Sequence, residues 1–335
     1  MFSPFCSPPG SGAERETNSG ESHRVPSAAT FIRTKIKSSL GSSMWLRYAA
    51  LAPYRTLCSM GISIGGATSS GHHSDLAETS KYIDRIFNEY KFYSGVDHFY
   101  GRAAEVGPGD LSGVGLRLLA DGCDHVDLAD RFKSKSDHAI QDAVNATILS
   151  DYPKTDIGNL TRDYGESAAA ETFFRANKGY DFIFSCAVLE HVYDPIGSLR
   201  AMQEALNPGG MMVHIVDCRD HGQFSDKMHD LSFLRLPKLF YRPLGAAGGP
   251  NRIRCSAYID AVKAMGLSHK LYITALAGIP ELLPLGTTWE DIAPEQLTRS
   301  KQHVAEIRNK LASPFRSLSD DDLMIAGFAL VTRTS

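Results

Sequence analysis

Two apolar runs that bracket a helical repeat limit the fold more than any other feature of this sequence. Asp181-Phe182-Ile183-Phe184-Ser185 reads as a buried strand. Pro195 to Leu206 reads as a helix with Leu199, Met202 and Leu206 turned inward. Asn207-Pro208-Gly209-Gly210 has the composition of a turn. Met211 to Val216 is almost continuously apolar, as expected of a strand covered on both faces. A strand, a crossover helix and a second strand make a parallel unit, so a sheet with helices on both sides follows.

The pattern extends in both directions. Leu76, Ile83, Ile86, Phe87 and Tyr90 recur at helical steps after a helix-start box at Asp75 and Glu78. Ala103 to Val106 reads as a first strand, and a helix then runs through Val114, Leu116, Leu118 and Leu119 to Gly122. His125 to Ala129 is a second strand, 137–149 a helix, and a short third strand belongs in 150–165. Ser256 is placed to cap a helix ending at Gly266; Leu271 to Ala275 and Met324 to Thr332 read as two late strands, the last an antiparallel edge.

Composition sets the outer limits. The 335 residues are 43% hydrophobic and 22% charged, which excludes a wholly disordered chain. A net charge of −3 gives no support to a nucleic-acid binder. Six cysteines without a Cys-x-x-Cys pair argue against a disulfide scaffold and a cysteine-based zinc site. Residues 1–43 are rich in Ser, Gly and Pro and read as a disordered extension. Residues 44–74 read as a basic linker or short helix, free to lie on a membrane surface or pack on the body. From Ser22 to Ser74 there is no acid. That resembles an organelle transit peptide, although Glu14, Glu16 and Glu21 are residues such peptides avoid. The expected compartment is otherwise cytoplasmic. No run reaches the ~18 apolar residues of a membrane span. Residues 75–335 form the expected catalytic domain.

The first chemical feature is Glu105-Val106-Gly107-Pro108-Gly109-Asp110, a glycine turn between a strand and a helix. Such a turn lets backbone approach a ligand closely. Asp130 closes the second strand about 20 residues later, where an acid accepts hydrogen bonds from ribose hydroxyls. A dinucleotide and S-adenosylmethionine both fit. Ser112 stands where the dinucleotide pattern wants Gly or Ala, and Asp110 would repel a pyrophosphate but attract an ammonium or a sulfonium.

The runs AAEVGPGD and DLADRF resemble motif I and the ribose acid of class I S-adenosylmethionine-dependent methyltransferases. The run YDFIFSCAVLEHVYDPIGSLRAMQEALNPGGMMVHIVD is similar to that superfamily's fourth strand, following helix and fifth strand. GPGDLSG, VDCRDHGQFS and PNRIR are similar to a group of stand-alone bacterial small-molecule methyltransferases. The resemblance implies an α/β Rossmann-like fold, a seven-stranded, mostly parallel sheet in order 3-2-1-4-5-7-6. It implies Glu105 near the methionine ammonium, Gly107, Pro108 and Gly109 beneath the cofactor, and Asp130 on the ribose. Ser185 and Cys186 would meet the methionine part, and Glu166 the adenine side.

The expected reaction moves a methyl group to an oxygen or nitrogen of a small polar molecule, a sugar-containing one among them. A dinucleotide-dependent oxidoreductase and a non-catalytic cofactor-binding scaffold are the alternatives. His221, with its acidic neighbours after the fifth strand, and His191 are the candidate bases. No histidine pair has a metal-site spacing, so no metal is expected. Residues 217–256 form an insertion of about 40 residues read as a lid, with Arg219, Phe224, Tyr241, Arg252 and Arg254 toward the acceptor.

Overall fold

The computed structural model describes residues 43–59, 76–109, 111–132, 138–225, 228–246 and 249–334. The extension read over 1–43 lies almost wholly outside these residues, as do Asp75 and Asp110. Seven strands form one sheet: β1 (Gly101–Val106), β2 (Cys123–Asp130), β3 (Leu160–Tyr164), β4 (Tyr180–Cys186), β5 (Leu206–Asp217), β6 (Ser268–Leu276) and β7 (Ile325–Arg333). Their order is β3-β2-β1-β4-β5-β7-β6, the order the resemblance implies. Strands β1 to β5 pair in parallel, and β7 runs antiparallel between β5 and β6.

The helices are α1 (Met44–Ser59), α2 (Leu76–Ser94), α3 (Gly113–Asp121), α4 (His138–Asp151), α5 (Ala170–Ala176), α6 (Pro195–Gln203), α7 (Lys238–Ala246), α8 (Cys255–Ala264), α9 (Pro294–Arg308), α10 (Ser313–Arg316) and α11 (Asp320–Met324). Of the apolar stripe of α2, Ile83, Ile86, Phe87 and Tyr90 are buried while Leu76, at the helix start, is exposed, and Tyr90 stacks on Phe184 of β4 at 4.6 Å. Phe99, Phe182 and Phe184 continue that aromatic layer edge to face, each such pair contributing about 0.5–1.5 kcal/mol beyond simple burial. Helix α3 sits so close to the sheet that a Cβ on Gly115 would meet Leu128 and Leu160 at 2.9 Å.

The crossover from β4 to β5 has the expected helix, but that helix ends at Gln203, and Leu206, read as its last inward residue, opens β5. Asp194 accepts from the Gly197 N–H and caps α6, with Pro195 in the first turn. Asn207 to Gly210, read as a turn, falls inside β5 as a shift in register, with Tyr180 opposite Leu206 and Phe182 opposite Met211. Ser256 is not a helix cap. Arg254 holds the cap position of α8, and Ser256 donates through its N–H and its hydroxyl to Asp322, both at 2.8 Å.

Two insertions flank the carboxyl end of the sheet. One follows β5 and carries α7; the other follows β6 and carries α9, α10 and α11. They are joined at Asp230. Its carboxylate accepts from His303 Nε2 (2.5 Å) and from the Gly278 N–H (2.8 Å), while the His229 and His303 rings stack at 3.7 Å. Burial alone would raise the Asp230 carboxyl, but hydrogen bonds from His229 and His303 outweigh it and hold it far below the usual range. The bond to Asp230 raises His303. The His303 contribution is present below its ordinary pKa and is lost as pH rises through its raised value. The Asp230 contribution is present above its ordinary pKa and is lost as pH falls. The pair is therefore strongest between about pH 4 and 6.5. Asp230→Asn should lower unfolding free energy by about 2 kcal/mol at pH 6 and by clearly less at pH 9. Melting curves at the two pH values check this, and equal losses would contradict it.

Candidate functional site

The glycine turn leaves β1 at the sheet's carboxyl edge, beside β4. Gly107 has φ +68°, and its N–H donates to Ala129 O (2.9 Å). A Cβ there would fall 2.5 Å from Val188, so only glycine permits this approach. Gly109, φ +65°, donates its N–H to Asp130 Oδ2 (3.1 Å), and its carbonyl accepts from Arg162 (2.7 Å). Arg162 also donates to Ser112 Oγ (2.7 Å). The loop is thus fastened from β2 and β3 before any ligand arrives. Pro108 lies between the glycines, half-buried.

Glu105 is 5% exposed at the end of β1. Tyr90 donates to its Oε1 (3.4 Å), and Oε2 has no hydrogen-bond partner. Burial pushes this carboxyl up to about 8, against the Tyr90 bond and the Arg162 charge. A buried carboxylate oxygen without a donor suits an incoming cation. Asp130 accepts from the Phe132 N–H (2.8 Å) as well as from Gly109. These features fit the two ends of S-adenosylmethionine: an ammonium at Glu105 and a ribose at Asp130.

The other expected cofactor residues are more varied. The Ser185 hydroxyl is taken up by His214 Nδ1 (2.8 Å) inside the sheet, leaving its backbone and that of half-buried Cys186 at the end of β4. Glu166 has an 80% exposed side chain and is held by a two-pronged bond from Arg131, whose guanidinium lies 4.5 Å from the Tyr193 ring centre. Tyr90, Arg162 and Arg131 escaped the sequence reading. Tyr90 is indistinguishable from the core stripe of α2, and Arg162 lies in the ambiguous stretch that hides β3.

The residues expected at the acceptor end follow β4 and β5. Just past β4, Ala187 takes φ +55°, and the Leu189–His191 turn follows. Glu190 is 3% exposed, and neither carboxylate oxygen has a hydrogen-bond partner. His221, at φ +52° after β5, has a side chain only 5% exposed with neither ring nitrogen bonded. Its Nε2 lies 3.9 Å from Glu190 Oε1, and its ring centre 4.7 Å from that of His191. Burial lowers His221, with Asp217 opposing, so the imidazole is neutral at neutral pH. Burial and then Asp217 raise the Glu190 carboxyl well above the usual range. Asn251 clasps the turn, donating to Glu190 O (2.6 Å), Leu189 O (2.7 Å) and Val192 O (2.9 Å). Glu190, His191 and His221 present ligand atoms within 4.8 Å of one another, as do His229, Asp230 and His303, so both sets have the donors of a divalent-cation site.

The lid residues depart from expectation. Phe224 and Tyr241 are buried, and Arg254 is buried against the carbonyls of Cys218, Asp322, Leu323 and Ile325. Arg252, φ +68°, stacks 3.8 Å from the Tyr241 ring centre and donates to Leu236 O (2.6 Å). Arg219 grips Asp217 with two bonds (2.9 and 3.1 Å). These side chains hold the insertion together instead of facing an acceptor, because arginine's planar fork satisfies buried carbonyls and carboxylates that lysine would leave unpaired.

Residues 101–265 match the family model described as a methyltransferase domain. The ubiquinone biosynthesis O-methyltransferase of Cereibacter sphaeroides (strain ATCC 17029) is 34% identical over 100 residues, 30% of this chain and 40% of that protein. The corresponding protein of Ruegeria pomeroyi is 30% identical over 101 residues, with the same coverage. The chain thus spans about 40% of the length of these curated relatives. A putative sarcosine dimethylglycine methyltransferase structure from Galdieria sulphuraria aligns with 15% identity and TM-score 0.41, over 77% of this chain and 85% of that one. Phosphoethanolamine N-methyltransferase 2 of Haemonchus contortus, in complex with S-adenosyl-L-methionine, aligns with 12% identity and TM-score 0.41, over 75% and 52%. The family match covers residues 101–265, the segment that carries the glycine turn, strands β1 to β5, Glu190 and His221.

Proposed function

We propose that the chain methylates a hydroxyl oxygen of a small molecule, with His221 as proton acceptor. The observation that carries this reading is a buried, neutral imidazole with both nitrogens unbonded, beside Glu190 at the carboxyl ends of β4 and β5. An amine or a thiolate needs little help to react, whereas a hydroxyl must lose its proton. The O-methyltransferase names of the curated relatives support an oxygen acceptor. Phe224, Tyr241 and Arg254, three of the residues expected to face a sugar-containing acceptor, are buried.

When bound, S-adenosylmethionine supplies a methyl group on a positively charged sulfur. The chain's residues then have two tasks. The glycine turn, Asp130 and Glu105 fix the cofactor's position, and alignment of this kind contributes up to ~7–11 kcal/mol of barrier reduction. His221 would take the proton that the acceptor hydroxyl loses when it is methylated, the sulfur leaving as a neutral thioether. His191, 4.7 Å away ring to ring, narrows the same mouth.

Calorimetric titration with S-adenosylmethionine and S-adenosylhomocysteine tests the cofactor end. Asp130→Ala should weaken binding ten-fold or more, roughly 1.4 kcal/mol, and Gly107→Arg should abolish it. Unchanged affinity in both variants would remove the assigned cofactor residues.

Methyl transfer to a panel of small phenols and alcohols tests the acceptor end. His221→Ala should cut the rate by roughly 10²–10⁴ while cofactor affinity stays within two-fold. With cofactor saturating, the wild-type rate should fall as pH drops through a value below the ordinary histidine range, because burial lowers His221. A full rate in His221→Ala would exclude the base, and cofactor binding without transfer to any acceptor would favour the scaffold reading.

A further inference from the structure

Helices α1 and α7 lie side by side on the outside of the insertion that follows β5, and their shared seam has no use in the chemistry above. Arg47 fastens α1 there by donating to the carbonyls of Gln223 and Phe224, both at 3.4 Å. The seam itself is apolar and open. Trp45 is 52% exposed, Leu46 54%, Leu239 75% and Phe240 41%. Trp45, Tyr48 and Phe240 form a triad of edge-to-face rings with centres 5.6–6.0 Å apart. Beside it runs an open cleft of about 530 Å³, lined by Tyr48, Ala49, Ala52, Pro53, Thr56 and Pro243.

Charge distinguishes among occupants of this face. Neither helix contains an aspartate or a glutamate. Lys238 and Arg242 are exposed on α7 around the apolar tip. Tryptophan, phenylalanine and leucine ringed by lysine and arginine, with no acid, is the composition of a helix pair that beds into the interface of a bilayer. A second copy of the chain is disfavoured, because a two-fold contact here would set the same bases against each other. No described helix is long and apolar enough to cross a membrane, so the helices lie on the surface.

We infer that the α1–α7 seam is a membrane-binding face for an anionic lipid bilayer, with Trp45, Leu46, Leu239 and Phe240 inserted among the headgroups and Lys238 and Arg242 paired with lipid phosphates. Because α7 belongs to the insertion beside Glu190 and His221, docking brings the acceptor end of the site near the bilayer. The inference does not depend on the transferase reading.

The test is flotation of the full chain with phosphatidylcholine vesicles, with and without 30 mol % phosphatidylglycerol. We expect at least ten-fold more capture on the anionic vesicles and loss of most of it in high salt. Leu239→Glu with Phe240→Glu, and separately Lys238→Glu with Arg242→Glu, should each cut capture at least ten-fold while leaving thermal melting and S-adenosylmethionine affinity unchanged. Leu239, Lys238 and Arg242 are exposed, so the basic double variant and Leu239→Glu alone keep the test clear of any loss of the Phe240 ring contacts. In a Trp289→Phe background, Trp45 emission should shift to the blue on the anionic vesicles. Absence of capture for the folded chain, capture equal on both vesicle types, or capture untouched by both double variants would overturn the inference. So would conversion of a stable dimer to monomers by Leu239→Glu.

Discussion

The contact between Gly107 and Val188 sets the rest of the site. Strands β1 and β4 are neighbours in the sheet but distant in sequence, and their outgoing loops leave in opposite directions. A crevice opens at that divergence in any open α/β sheet. Here it is narrowed until backbone meets side chain, with no room for a Cβ. The first loop carries the residues proposed for the cofactor and the second carries Glu190 and His191, so one contact sets the spacing of the two loops.

How much of this was legible depends on what kind of force decides each element. Strands β4 and β5 were readable because burial on both faces demands near-continuous apolar residues, as in Phe182 to Phe184 and Met211 to Val216. Helix α2 was readable for the same reason at a different period. Helix α9 was missed. Only Ser300, Val304 and Ile307 of its residues are buried, so the helical signal rests on a thin stripe in a polar segment behind Pro294. Ser256 looked like a cap because serine favours that role, yet Asp322, far along the chain, offers it two hydrogen bonds instead. Tertiary partners of that kind leave no local trace.

The insertion after β5 shows the same limit in its charges. Read along the chain, its arginines and aromatics look like a surface for a polar ligand. Folded, Arg254 serves four carbonyls, Arg252 lies on Tyr241, Arg219 holds Asp217, and Arg47 reaches in from α1. Each brings its charge inward because irregular backbone exposes carbonyls that regular structure would have paired. The basic residues of such a segment mark where it lacks secondary structure as much as where it meets a partner. His221 was legible from its acidic neighbours after the fifth strand, whereas its burial against Glu190, with 3.9 Å between Nε2 and Oε1, comes only from the fold.

The clasp of Asn251 on the Leu189–His191 turn carries a thermodynamic consequence. That turn is held by the insertion on one side and touches the cofactor loop, through Val188, on the other. Under the proposed function, two ligands that bind on either side of this turn and shift it are thermodynamically coupled, and linkage requires each to alter the other's affinity by the same factor.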